Sequence, residues 1–287
     1  MALVLRSDPA RTALRVAALG AYFRGDVLDG KTFCCRHQAA CRRSYAGPLL
    51  DGQLPHVGAH FDLFLNGVPC RIVVVGQEYG HGPAAVSLAD RHEMIRASGA
   101  DRRFVAEDGF PARNPHMRGT TSLLRLLLGH SLGSDHLGEF VQVSHEPVHV
   151  FEAFALANFF LCSAVLDPDP AVFHGGQHGR STPVMREGCA EHFRAALTLL
   201  QPTILIAQGR AVRRWLDLVL DEAEPAHETL PLERVRIGES WALLASFVHP
   251  SAPTRDNWGA NASQPYLVDT VAPTIAALQV AAGVLPA

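Results

Sequence analysis

Gln77, Glu78 and Tyr79 stand between Gly76 and Gly80, directly after Ile72-Val73-Val74-Val75. Four β-branched residues breaking into a polar, glycine-flanked turn have the form of a buried parallel strand that delivers a loop to its carboxyl end, where open α/β sheets bind ligands. Glu78 there offers a carboxylate able to orient a water or favour a developing cation. Asn158 follows a second apolar run, Phe154 to Ala157, and its amide carries a donor and an acceptor. Placing that amide among Phe154, Phe159 and Phe160 is costly unless it finds partners. His249-Pro250-Ser251 follows a third run, Trp241 to Val248. An imidazole at a strand end can donate a hydrogen bond to an oxygen that becomes anionic during reaction.

Six cysteines form a second set: Cys34, Cys35, Cys41, Cys70, Cys162 and Cys189. A secreted disulfide framework does not suit a chain of 287 residues. Cys70 reads as a small core hydrophobe. Cys34, Cys35 and Cys41 lie in KTFCCRHQAACRRSY, whose Lys31, Arg36, His37, Arg42 and Arg43 are accompanied by no acid. A basic setting favours thiolate, and four thiolates suit tetrahedral zinc or an iron–sulfur cluster. No CxxC is present, so spacing alone leaves both open.

The elements that must position these residues alternate. Residues 10 to 24 predict a helix with Leu14, Ala18, Ala21 and Tyr22 on its apolar face. Asn66-Gly67 predicts a tight turn, and 82 to 118 reads as a long excursion, helical around 86 to 97. Leu123, Leu124, Leu127 and Leu128 predict a helix over 120 to 128. The run from 154 to 162 reads as a strand and the turn leaving it. Thr182 and Pro183 predict the cap and first position of a helix ended by Pro202. A third strand over 203 to 207 leads through Gln208-Gly209 into another helix, 221 to 234 read as an acidic loop, and a fourth strand spans 241 to 248. A last helix covers about 270 to 283. The order predicts one domain over 1–287, a three-layer α/β/α sandwich around a central, mainly parallel four-stranded sheet.

Composition narrows the function classes. The formal charge is −3 and Lys31 is the sole lysine, so no polyanion affinity follows from the total charge. No run of eighteen apolar residues exists, and neither a leader nor a membrane span is expected, which points to the cytoplasm. Gly76 and Gly80 do not supply Gly-x-Gly-x-x-Gly, no phosphate-loop lysine exists, and no Gly-x-Ser-x-Gly elbow is present.

In order, these motifs resemble the uracil-DNA glycosylase superfamily, most of all its branch that carries a [4Fe–4S] cluster. That branch has Gly-Glu-Ala-Pro-Gly after the first strand, then Asn-x-x-x-Cys, a helical cysteine before a Pro-initiated strand, and His-Pro-Ser. Asn158 to Cys162, Cys189 ahead of PTILIAQGRA, and His249-Pro250-Ser251 match in turn. Glu78 falls where the cluster-free branch, with Gly-Gln-Asp-Pro-Tyr-His, has its water-activating acid. The resemblance covers about residues 31 to 260. Tyr79 departs from the proline of both branches, the N-terminal cysteines are spaced more widely than CxxC, and Leu161 and Ser163-Ala164-Val165 replace the basic residues around the second-motif cysteine. A changed pocket follows from those departures.

The resemblance implies a monomeric DNA glycosylase that flips a uracil-like pyrimidine into a strand-end pocket and hydrolyses its N-glycosidic bond. Glu78 and His249 would be catalytic. Gln77, Tyr79, Asn158, His116, Met117 and Ser251 would contact the base or its nucleotide. Arg42, Arg43, Arg255 and Trp258 would contact DNA. Cys35, Cys41, Cys162 and Cys189 would hold the cluster, with Cys34 as the alternative to Cys35 and zinc as the alternative metal. Excision of a hypermodified pyrimidine from foreign DNA, and DNA binding without cleavage or with covalent trapping of product, are the competing readings.

Overall fold

The computed structural model describes residues 4–30, 32–50, 52–77, 86–165, 181–253 and 256–285. The protein is mixed α/β with a mostly parallel central sheet. Its strands are β1 (His56–Val57), β2 (Ile72–Gly76), β3 (Phe154–Asn158), β4 (Ile204–Gln208), β5 (Glu222–Pro225), β6 (Leu232–Ile237) and β7 (Ser240–Phe247). Their spatial order is β5-β6-β7-β4-β2-β3-β1. The four strands predicted from sequence are the parallel ones, β7-β4-β2-β3.

The sheet is wider than the expected four strands: among the described residues it has seven. Antiparallel β1 extends one edge, and the antiparallel β5–β6 pair extends the other. The stretch read as an acidic loop is this second edge. All four residues of β5 are exposed, and a solvated edge strand need not carry the apolar alternation that marks a strand in sequence.

Strand β2 is buried along its whole length because both its faces are covered. Val73 and Val75 join Ala155, Ala157, Leu205 and Ala207 in one apolar cluster. That cluster also takes side chains of α1 (Pro9–Asp26), α5 (Pro183–Leu200) and α6 (Arg210–Leu216). Ile72 and Val74 point the other way, with Phe154, Leu156, Ile204 and Ile206. There they meet α4 (Pro115–Leu127), α7 (Ala272–Ala281) and Ile95 of α3 (Leu88–Asp101). The same side packs a second sheet of five short strands, in which Leu63–Leu65 and Val68–Cys70 form a hairpin around Asn66 and Gly67 at φ 50° and 85°. Cys70, 1% exposed, is core as expected.

Helix α5 is bounded as predicted. The Thr182 hydroxyl accepts the Met185 N–H at 3.2 Å, and Gln201 closes the helix at φ 49° just before Pro202. Helix α1 departs from its predicted face: Thr12, Arg15, Leu19 and Phe23 are buried, while Leu14 is 72% exposed. The reason is a polar anchor. Asp62, 1% exposed, accepts from Arg15 Nε at 3.0 and 3.1 Å. The pair fixes the helix by a charged contact that apolar periodicity does not reveal. No helix among the described residues is long and apolar enough to cross a membrane.

Candidate functional site

The carboxyl ends of β2, β3, β4 and β7 lie along one edge of the sheet. From β2 the chain crosses to β3 on one side and then to β4 on the other, so the strand order reverses between β2 and β4. Such a switch point opens a crevice outside the strand ends. From β3 to β7 are three strand gaps, roughly 14 Å at about 4.8 Å each.

Asn158, the last residue of β3, registers with Gly76 on β2. A Cβ at position 76 would lie 2.7 Å from Asn158 Oδ1. Glycine there makes room for the amide, so the two motifs form one surface. Strand pairing continues outward, with Phe159 N–H donating to Gly76 O and Phe160 N–H to Gln77 O, each at 2.9 Å. Gln77 itself is partly exposed. Glu78, Tyr79 and Arg255, expected to act here, lie outside the described residues.

The neighbouring strand ends carry a set of imidazoles and an amide. His249 sits two residues beyond β7. Its Nδ1 accepts the Ser251 backbone N–H at 3.1 Å. An amide nitrogen only donates, so the neutral ring carries its proton on Nε2, which is then a donor. The His116 ring stacks on His249 with centroids 5.2 Å apart and planes at 18°. His116 Nε2 donates to Gln208 Oε1 at 2.7 Å. Gln208 Nε2 donates to Thr120 Oγ1 at 3.2 Å, and that hydroxyl donates to His116 O at 3.0 Å. Burial, and secondarily the nearby His249, push the His116 imidazole down to about 3, so the His116 ring is neutral near neutral pH.

His116 and Met117 lie in the first turn of α4, which starts at Pro115 under an Asn114 cap, earlier than predicted. Only His116 belongs to the site. Met117 is 6% exposed and packs in the apolar core, because the helical turn aims successive residues to different sides. The loop after β7 holds this turn in place: Gly259 lies so close to Pro115 O that a Cβ would come within 1.8 Å. Trp258, expected to meet DNA, is fully buried, and its indole N–H donates to Val248 O at 2.7 Å. It locks the loop to the sheet and presents no face to a ligand. Ser251 is exposed.

Gln53 was missed in sequence. Its backbone N–H donates to Leu161 O at 2.8 Å, and it bridges Val86 on its other side. The side chain is 4% exposed, yet among the described residues neither Oε1 nor Nε2 has a hydrogen-bond partner. No motif marks it; its one sequence signal is a polar residue inside the GQLPHV stretch.

The cysteines draw together on the other face. Cys41, Cys162 and Cys189 share one buried cluster, and Cys35 packs against it. Helix α2 (Gln38–Ser44), carrying Cys41, packs on α5, carrying Cys189. Burial pushes the Cys189 thiol up to about 12, against the amide N–H groups of Leu161 and Cys162 directed at it and with the Cys41 and Cys35 sulfurs near enough to be felt. Burial likewise raises Cys35 and Cys41. Cys34 is exposed and stands apart, so Cys35 is the better placed of the pair. Among the described residues no group of three or more His, Cys, Asp or Glu side chains has metal-holding geometry. The donor set itself, three buried sulfurs and a partly buried one, with amide N–H groups directed at Cys189 and the Arg36 charge felt at Cys35, fits a group that would convert these thiols to thiolates. Arg42 and Arg43 are exposed at the end of α2.

Neither a protein-family model nor a curated protein matches this chain.

Proposed function

We propose that the protein is a DNA glycosylase of the uracil-DNA glycosylase superfamily, a three-layer α/β/α member of its iron–sulfur branch. The observation that carries this reading is the strand-end constellation: Asn158 seated over Gly76 beside the β2–β4 switch point, with His249 and His116 tied to the end of β4. A flipped pyrimidine at those strand ends would meet an amide that can pair with its O4 and N3–H, and an Nε2–H donor for the O2 that gains charge. One such preorganised donor is worth about 3 kcal/mol. Neutral imidazole suffices for it, and the Ser251 amide holds the proton on the required nitrogen. Glu78 acts on the sugar side, orienting the attacking water and favouring the cationic transition state; this role rests on its place in the sequence. Arg42 and Arg43 contact phosphates.

Cys35, Cys41, Cys162 and Cys189 would hold the [4Fe–4S] cluster, or zinc in the alternative reading. Bound there, the group supplies thiolate bonds that brace the N-terminal segment against α5 and the turn after β3. The protein acts as a cytoplasmic monomer on DNA.

Gln53 favours the reading in which the base is a modified pyrimidine. Its buried donor and acceptor have no partner among the described residues, and substituents beyond those of uracil could supply one. Incubation with oligonucleotides bearing uracil, hypoxanthine and several modified pyrimidines, scored for alkali-labile strands, tests the activity. Glu78→Gln and His249→Ala serve as controls. Tight binding with no abasic product on any of them would overturn the glycosylase in favour of a DNA-binding member.

A further inference from the structure

We propose that His192 tunes the metal centre by donating its Nε2–H to the sulfur of Cys35; this rests on the cluster reading above. His192 lies one helical turn after Cys189 on α5, a spacing that puts both on one face. It is 1% exposed. Its Nε2 is 3.3 Å from Cys35 Sγ, and its Nδ1 is 2.9 Å from the Tyr22 hydroxyl. Both ring nitrogens of this buried imidazole are therefore occupied.

The direction of each bond follows from the chemistry of the partners. A neutral imidazole has one donor and one acceptor, and a metal-bound thiolate can only accept. The proton must then sit on Nε2, and the Tyr22 hydroxyl must donate to Nδ1. The result is a chain, Tyr22 O–H to His192 to Cys35 sulfur, that fixes tautomer and ring orientation as second-layer partners of metal ligands do. An N–H donor on a ligand sulfur withdraws electron density and favours the reduced cluster, raising its reduction potential. His192 is a positioning and tuning residue. The four sulfurs remain the ligands.

The test uses the full chain purified without oxygen, with iron and sulfide content, visible absorbance and midpoint potential measured together. His192→Leu removes the donor at similar volume, His192→Gln retains an N–H, and Tyr22→Phe removes only the outer partner. The expected result is a lower midpoint potential and faster bleaching in air for His192→Leu, and a smaller shift of the same sign for Tyr22→Phe. His192→Gln should lie nearest the wild type. Unchanged potentials in His192→Leu and Tyr22→Phe, with iron content intact, would overturn the proposal. Should His192→Leu fail to fold, an unshifted Tyr22→Phe overturns it alone. Wild-type protein carrying zinc or no metal overturns the cluster and this proposal together, while the strand-cleavage assay judges the glycosylase separately.

Discussion

Glu139 and Gln53 are both buried polar side chains, and the molecule treats them in opposite ways. Glu139 is fully buried and accepts from both terminal nitrogens of Arg113, from His136 Nδ1 at 2.9 Å and from His149 Nε2 at 3.2 Å. Arg113 spends its remaining donors on the carbonyls of Ser98, Gly99 and Arg102. Burial alone would raise the Glu139 carboxyl. The bonds from His149 and Arg113, with the Arg113 charge, outweigh it and hold the group down to about 2. The network ties the end of α3, through Arg113 and Glu139, to His149 of the second sheet. Gln53 has no partner among the described residues for either polar atom and lies beside the turn that leaves β3. A filled network supports the fold. An orphaned amide beside that turn retains its capacity for a ligand.

The largest expected effect falls on the filled network. Glu139→Ala leaves the Arg113 guanidinium buried without its counter-charge, which costs about 3–5 kcal/mol. Urea unfolding should show a large drop in midpoint, with strand cleavage in the proposed assay unchanged per folded molecule. The double substitution Arg113→Met with Glu139→Leu should recover most of that loss, because a packed apolar pair can replace a buried ion pair. At the strand ends the ranking reverses. His249→Ala should leave the urea midpoint within about 0.5 kcal/mol of wild type, as partly exposed positions do. Single-turnover base release should fall roughly 10²- to 10³-fold. A His249→Ala protein that cleaves at the wild-type rate would dissolve the distinction between the two regions.

What was legible in sequence follows the same division. The four parallel strands were readable because burial on both faces demands unbroken apolar runs such as Ile72 to Val75. The Thr182–Pro183 start of α5 was readable because cap chemistry is local. Asn158 and His249 stood out as polar residues at the ends of such runs, and the structure places both at the sheet's carboxyl edge. The face of α1 was misread because Arg15 is paired with Asp62, 47 residues away in sequence. The edge strand β5 was missed because all four of its residues are exposed and carry no apolar signature. Met117 and Trp258 were assigned to ligands on the resemblance, and only their burial shows that they pack. Gln53 and His192 could not be found at all: an orphaned amide and a hydrogen bond to a sulfur are properties of three-dimensional surroundings.

A smaller effect should appear in acid. Burial pushes His56 and His116 both down to about 3 in the folded protein, while an unfolded histidine titrates near 6.5. Between those values the unfolded chain binds more protons, so stability is full above about pH 6.5 and declines as pH falls toward 3. Each histidine contributes a slope of up to about 1.4 kcal/mol per pH unit. Glu139 adds its own loss only lower, from about 4.5 down to 2. Urea midpoints should therefore fall between pH 6.5 and 5.5, before any carboxylate titrates, and the fall should shrink in His56→Phe. A flat profile over that interval would mean that both rings are solvated.

The smallest effect is the most discriminating. An unpaired buried amide carries a desolvation cost of about 1–3 kcal/mol, and an apolar side chain of similar shape removes it. Gln53→Leu should therefore raise the urea midpoint slightly, by about 1 kcal/mol, while weakening substrate affinity roughly tenfold through the loss of one donor–acceptor pair. Stability and binding then move in opposite directions, which a structural glutamine cannot produce. Should Gln53→Leu instead destabilise the protein and leave substrate affinity intact, the amide is bonded in solution, and Gln53 belongs with Glu139 on the structural side of the comparison.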